Sequence, residues 1–65
     1  MDLKKNFTYH VPTDVQKQTY ADIRGYASAY AEFLQGNCPE SRELSLALTN
    51  LEQCVMWANA AVARN

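Results

Sequence analysis

The sequence has few of the residues that build metal sites, disulfide frameworks or membrane spans. Its 65 residues include two cysteines, Cys38 and Cys54, and a single histidine, His10. Neither cysteine belongs to a Cys-x-x-Cys motif, and these three side chains cannot complete the four-ligand set of a structural zinc site. No apolar run approaches the roughly 20 residues that a membrane-spanning helix needs. We therefore expect no metal ion, no cofactor and no membrane segment.

The chain also lacks an excess of either charge. Six Lys and Arg residues stand against seven Asp and Glu residues, which gives a net charge of −1. Binding to duplex nucleic acid needs a basic surface, so the composition argues against that partner. No signal peptide precedes the first periodic segment, which predicts a cytosolic protein and disfavours a Cys38–Cys54 disulfide.

The length of the chain limits how much apolar surface it can bury. A chain of 65 residues forms at most one domain, which buries only about 60% of the surface of its unfolded state. Small domains usually add disulfides, a metal ion or oligomerisation. Because the first two are disfavoured here, the sequence favours oligomerisation.

The N-terminal segment has no helical period. Pro12 disfavours helix at Val11, so we assign residues 1–12 to an arm. Thr13 and Gln16 then form the Ser/Thr-x-x-Glu/Gln pattern of a capping box, which predicts that a helix begins here.

The first helix is predicted over residues 13–35, as part of an all-α fold. Gly36 is predicted to end it in the left-handed conformation. Gly25 lies mid-helix, where it costs about 1 kcal/mol relative to Ala; it marks either a close approach of another chain or ligand, or a tolerated defect. The predicted apolar seam is Tyr20, Ile23, Ala27, Tyr30 and Leu34.

A connection at residues 36–40 is short enough to predict an antiparallel hairpin. Pro39 and Ser41 both suit a helix start, and the second helix is predicted over residues 41–63. Its apolar positions alternate steps of four and three, as a packed helix requires. They are Leu44, Leu48, Leu51, Val55, Ala58 and Val62. The whole chain, residues 1–65, is therefore predicted to be a single helical-hairpin domain.

Each helix carries apolar residues that the hairpin seam does not use. One partner helix cannot cover two faces, and an exposed apolar surface of this kind usually marks a protein interface. We therefore expect a homo-oligomer of closed symmetry. The interface residues are predicted to be Cys54, Trp57 and Ala61 on the second helix, joined by Leu46 there and by Tyr26 and Phe33 on the first helix.

The polar residues indicate binding rather than catalysis. A nucleophile needs an adjacent base, and the single histidine lies in the arm, so we expect no enzyme activity. Tyr9 could stack on a base, while Arg24 and Arg64 could donate to phosphate groups. Simpler roles stay open: Tyr9 packs the arm, Arg24 pairs with an acidic neighbour, and Arg64 complements the helix dipole.

Two stretches together resemble a known family. They are FTYHVP at residues 7–12 and CPESRELSLALTNLEQCVMWANAAVARN at residues 38–65. The chain resembles the helical-hairpin domain shared by the phage anti-CBASS and anti-Thoeris sponges, and its length resembles the stand-alone anti-CBASS type. The resemblance implies a homohexamer that sequesters cyclic dinucleotides such as 3′,3′-cGAMP without cleaving them. Its place of action would be the cytoplasm of the infected bacterial host.

The same resemblance implies which residues bind the ligand. Tyr9 matches the arm tyrosine of the family, and Arg64 matches its terminal arginine. Arg24 stands where the family has a lysine, a departure that affects phosphate selectivity because Arg and Lys recognise phosphate differently. Some family members also bind cyclic trinucleotides or glycocyclic ADP-ribose, which stay open as further ligands. The alternative is a structural or protein-binding helical homo-oligomer with no nucleotide ligand.

Overall fold

The computed structural model describes residues 11–65, which form two α-helices and, within that range, no strand. Helix α1 spans Asp14–Asn37 and helix α2 spans Arg42–Arg64, and the two pack against each other as a hairpin. The all-α hairpin expected from the sequence is confirmed. The predicted arm lies outside the described residues except for Val11 and Pro12, both of which are non-helical.

Helix α1 begins with the capping box that the sequence predicts. The backbone N–H of Gln16 donates to Thr13 Oγ1 at 3.1 Å, and the backbone N–H of Thr13 donates to Gln16 Oε1 at 2.9 Å. Asp14 follows in the first turn, where a negative charge is favourable beside the helix N-terminus. These contacts satisfy N–H groups that have no partner inside the helix.

The prediction that Gly36 ends α1 in a left-handed conformation is wrong. Helix α1 continues through Gly36 to Asn37, and no glycine in residues 11–65 has a positive φ. The helix ends instead at an extended Cys38, whose N–H donates to Leu34 O at 2.9 Å. Asn37 Nδ2 donates to Phe33 O at 2.8 Å. With these carbonyls satisfied, no left-handed residue is required.

Helix α2 has a side-chain cap at each end. Ser41 is its N-cap, and Ser41 Oγ accepts from the backbone N–H of Leu44 at 3.1 Å. The start predicted from Ser41 is confirmed. At the other end, Asn65 Nδ2 donates to Ala61 O at 3.2 Å. Both helix ends are thus specified by short polar side chains in the sequence.

The seam between the helices follows the predicted positions with one exception. All six predicted seam residues of α2 are half-buried, as are Tyr20, Ile23, Ala27 and Leu34 of α1. Tyr30, however, is 54% exposed, and Ala31 is the half-buried residue one position later. Steps of three and four from Ala27 both stay on one helix face, and the small side chain of Ala31 lets the two helices come closer than Tyr30 would.

The hairpin is a single layer of two helices. Its dimensions are 43 × 25 × 12 Å, and the smallest is close to the diameter of one helix, about 10–12 Å. The radius of gyration is 14.7 Å, whereas a compact domain of this length has about 11 Å. None of residues 11–65 is fully buried. Residues 11–65 therefore leave both faces of the layer open.

The alternative of a Cys38–Cys54 disulfide is excluded within one hairpin. Both thiols are free and exposed. Cys38 lies in the connection before α2, whereas Cys54 lies more than three turns into that helix, about 18 Å from its start. A disulfide needs Cα atoms within roughly 7 Å of each other.

Candidate functional site

Two grooves run along opposite sides of the helix seam. Ala27, Leu51 and Val55 line both of them, so these seam residues form a common floor. We call the first the aromatic groove; it has a volume of about 410 Å³ and is lined by Ile23, Tyr26, Ala27, Tyr30, Leu51, Cys54, Val55 and Ala58. The second, the polar groove, has a volume of about 390 Å³ and is lined by Ala27, Ser28, Ala31, Gln35, Leu48, Leu51, Glu52 and Val55.

The aromatic groove is bordered by large rings that residues 11–65 do not cover. Tyr26 is 80% exposed. Tyr30 and Phe33 stack with their ring centroids 6.3 Å apart and an angle of 9° between the ring planes. Three exposed rings on one side of α1 create an apolar rim, the kind of surface that monomeric proteins rarely leave uncovered.

The three predicted interface residues lie on this same side. Cys54 lines the aromatic groove, and Trp57 and Ala61 follow it by three and seven residues, which keeps them on one side of α2. All three side chains are exposed, and Trp57 is 62% exposed. Their exposure agrees with the prediction that α1 does not cover them. Which surface does cover them stays a prediction.

Arg24 lies on the other side of the hairpin. It precedes Ser28 by one turn on the side of α1 that borders the polar groove. Its side chain is exposed, and it makes no hydrogen bond or ion pair with any residue in the described part of the chain. The alternative of an ion pair with an acidic neighbour thus finds no partner among residues 11–65. Its guanidinium donors are therefore available to an external anion.

Arg64 occupies the last turn of α2 and is also exposed. It follows Trp57 by seven residues, so the two share one side of the helix. A cation at this end is favourable beside the helix dipole, which is the simpler role considered for it. Within the described residues it has no side-chain partner.

One hairpin does not bring Arg24 and Arg64 together. Gln16 Nε2 donates to Val62 O at 3.1 Å, which aligns the start of α1 with the end of α2. From that level, Arg24 lies eight residues along α1 and Arg64 lies two residues beyond Val62. The two arginines are thus separated by about 15 Å along the hairpin and lie on different sides of it. A small ligand that contacts both would need two chains.

Several further residues bear on the site. Tyr9, the predicted stacking residue, lies outside the described residues. A methyl group added at Gly25 would meet no atom of residues 11–65 within 4 Å, so the described hairpin does not require glycine there. Asn59 Oδ1 is buried without a hydrogen-bond partner in the described part of the chain. Neither the role of Gln16 between the helices nor the polar groove was indicated by the sequence, because both depend on which positions of α1 and α2 face each other.

Two classes of feature are not found in the described residues. No group of three or more His, Cys, Asp or Glu side chains is placed to hold a metal ion in residues 11–65. Neither α1 nor α2 has the length and apolar character that crossing a membrane would demand.

Comparison with known proteins identifies the family. No curated protein and no solved structure matches the chain. The family model described as "Acb2/Tad1, hairpin domain" matches residues 1–63, nearly the whole chain. The resemblance to the anti-CBASS and anti-Thoeris sponges is thereby confirmed, and with it the sponge-type anti-defence role that this family implies. The chain belongs to the Acb2/Tad1 hairpin domain family.

Proposed function

We propose that the protein binds cyclic dinucleotides such as 3′,3′-cGAMP and sequesters them without cleavage, which prevents activation of the CBASS effector in the cytoplasm of the infected bacterium. The observation that carries this proposal is the family match over residues 1–63. Cyclic trinucleotides and glycocyclic ADP-ribose are secondary candidate ligands. Sequestration requires affinity and enclosure rather than a reacting group.

The chemistry of the described residues supports an anionic ligand. Arg24 and Arg64 are exposed and unpaired within residues 11–65, and a guanidinium can form two parallel hydrogen bonds to a phosphate. Tyr9 would supply a flat ring for a base. A cyclic dinucleotide has two phosphates and two bases, so it offers partners to both kinds of side chain.

The separation of the two arginines supports a site between subunits. Arg24 and Arg64 lie on different sides of one hairpin, about 15 Å apart along it. The aromatic groove on one side and the polar groove on the other are both open. We propose that copies of the chain pack through Cys54, Trp57 and Ala61 into a homohexamer, and that the ligand lies where Tyr9, Arg24 and Arg64 of neighbouring subunits meet.

Isothermal titration of the purified protein with 3′,3′-cGAMP tests the binding proposal. We expect saturable binding, and heat treatment followed by mass spectrometry should recover the nucleotide at its original mass. A flat titration with cyclic di- and trinucleotides would refute sequestration. A linearised product would refute binding without cleavage.

Variants then test the three residues. Tyr9→Ala, Arg24→Ala and Arg64→Ala should each weaken binding by roughly 10- to 100-fold, the cost of about 1.5–3 kcal/mol for a lost charged hydrogen bond or a stacking contact. Arg42→Ala is the matched control, because Arg42 is an exposed arginine at the opposite end of α2. Equal losses in Arg42→Ala would indicate general charge attraction instead of a site.

The exposed aromatic surface also favours the second candidate, a structural or protein-binding homo-oligomer without a nucleotide ligand. Tyr26, Phe33 and Trp57 are 80%, 59% and 62% exposed, which fits assembly whether or not a ligand binds. The two functions differ in the arginine variants. If Arg24→Ala and Arg64→Ala dissociate the oligomer, the arginines serve assembly; if they abolish titration heat in an intact oligomer, they serve ligand binding.

A further inference from the structure

Gln16 makes three hydrogen bonds at the open end of the hairpin, where α1 begins and α2 ends. Its backbone N–H and its Oε1 atom complete the capping box with Thr13, at 3.1 and 2.9 Å. Its Nε2 atom donates to Val62 O at 3.1 Å in a half-buried setting. Among the hydrogen bonds of residues 11–65, this last one is the bond that joins α1 to α2. One side chain therefore both starts α1 and holds the end of α2.

The acceptor belongs to the part of α2 that is least stable on its own. Helix α2 ends at Arg64, so Val62 O is one of the last four carbonyls, which have no partner inside the helix. Ala61 O, also in this group, accepts from Asn65 Nδ2 at 3.2 Å. Terminal turns fray when their carbonyls lack partners. The bond from Gln16 therefore opposes fraying in the turn that carries Arg64.

We propose that Gln16 is a positioning residue for Arg64: it anchors the last turn of α2 to the start of α1, and so fixes the backbone from which the Arg64 guanidinium reaches the anionic ligand. This inference rests on the proposed function, because it concerns the same binding site. Gln16 acts through Arg64, and it does not itself contact the ligand.

Two substitutions separate the roles of Gln16. Gln16→Glu keeps an oxygen acceptor for the Thr13 N–H, as the Glu of a capping box does, but it cannot donate to Val62 O. Gln16→Met has a similar length, carries no charge and removes both side-chain bonds. We expect each to weaken binding of 3′,3′-cGAMP by about tenfold, since a fraying turn no longer holds its charged hydrogen bond.

Thr13→Ala is the structural control. It removes the Oγ1 acceptor of the capping box and leaves the bond from Gln16 to Val62 in place. It should lower the unfolding temperature as Gln16→Met does and bind the nucleotide like wild type. If Thr13→Ala loses as much affinity as Gln16→Met, the loss follows general stability and the positioning role is wrong.

A double-mutant cycle between Gln16 and Arg64 distinguishes a positioning role from a purely structural one through the affinity for the nucleotide. In the Arg64→Ala background, Gln16→Met should cause no further loss of affinity, because the group that it positions is gone. Independent and additive losses would overturn the proposal.

Amide hydrogen exchange of residues 60–64 tests the anchoring of the last turn of α2 without any ligand. Gln16→Glu and Gln16→Met should lose protection there, while Thr13→Ala should keep it. Unchanged exchange in the Gln16 variants would overturn the anchoring of the last turn. Failure of the proposed function gives a different result. Residues 60–64 of the wild-type protein would then be protected from exchange, but titration with cyclic nucleotides would release no heat.

Discussion

At the residue scale, Gly25 and Gly36 lower the stability of α1 without a structural reason in the described part of the chain. Both have negative φ, and a methyl group at either would meet no atom of residues 11–65 within 4 Å. Glycine inside a helix loses more conformational entropy on folding than alanine. The backbone of one hairpin therefore requires neither glycine.

We predict that Gly25→Ala and Gly36→Ala each raise the free energy of unfolding by about 0.5–1 kcal/mol, with the smaller gain at Gly36 near the helix end. Urea denaturation followed by circular dichroism measures both. Each substitution is the control for the other, because both replace glycine with alanine in the same helix. A gain at Gly36 with a loss at Gly25 would mean that another chain or a ligand approaches the backbone at Gly25.

The sequence pattern could not specify which of two neighbouring residues, Tyr30 or Ala31, lies in the seam. Tyr30 and Ala31 are both compatible with a seam that advances by three or four residues, and the choice depends on how closely the partner helix approaches. Ala31 is half-buried, and Tyr30 instead stacks on Phe33. A periodic pattern identifies a helix face. The volume of the side chains on the facing helix decides which of two neighbouring residues lies in the seam.

At the element scale, local signals define the helix boundaries. The capping box at Thr13 and the N-cap at Ser41 involve side chains and backbone within three residues of each other, so the sequence alone was sufficient to predict both starts. The end of α1 was predicted incorrectly, because Asn37 satisfies Phe33 O where the pattern favoured a left-handed Gly36. Gly36 and Asn37 are adjacent, and each can end a helix. The geometry of the connection is needed to decide which of them does so.

We predict that Ser41→Ala destabilises the protein by about 1 kcal/mol, equivalent to a fall of roughly 4–8 °C in Tm for a domain of this size. Ser41 Oγ accepts from Leu44 N and donates to Pro39 O at 3.0 Å, so its loss releases both the helix start and the connection. Ser45→Ala, one turn later on an exposed side chain, is the matched control and should leave Tm nearly unchanged. Equal shifts in the two variants, measured by thermal denaturation, would argue against the cap.

At the scale of the whole molecule, the described hairpin has no buried interior. Two helices of 24 and 23 residues form one layer, with no fully buried side chain in residues 11–65. The sequence was sufficient to predict uncovered apolar faces, because the apolar positions on each helix can be counted and exceed those that one seam covers. It could not specify which surface covers those faces, because that depends on contacts beyond one hairpin.

We predict that Trp57→Glu dissociates the proposed homohexamer, because its carboxylate would have to lose water in an apolar interface, a cost of several kcal/mol. Met56→Glu is the matched control: Met56 is 53% exposed next to Trp57, which is 62% exposed, but one residue turns it toward another side of α2. Sedimentation velocity should show smaller species for Trp57→Glu only. Dissociation by Met56→Glu with an intact Trp57→Glu oligomer would place the interface on the other side.

The stability of the hairpin should also depend on protein concentration. Most helical stability in proteins comes from packing of an apolar face, and the hairpin seam leaves every described side chain partly exposed. Folding and assembly should therefore be linked. For a hexamer that forms from unfolded chains, each tenfold increase in concentration should add about 1 kcal/mol per chain. We therefore expect the Tm from circular dichroism to rise steadily between micromolar and submillimolar protein.

Trp57→Glu provides the control for that measurement. Its helical signal should be low across the concentrations at which wild type is folded, because the hairpin without its partners buries too little apolar surface to offset the entropy of two ordered helices. A Tm that stays constant with concentration, together with a fully helical Trp57→Glu variant, would show that the single layer is stable alone. The exposed rings of Tyr26, Phe33 and Trp57 would then be free to bind a different protein instead of a second copy.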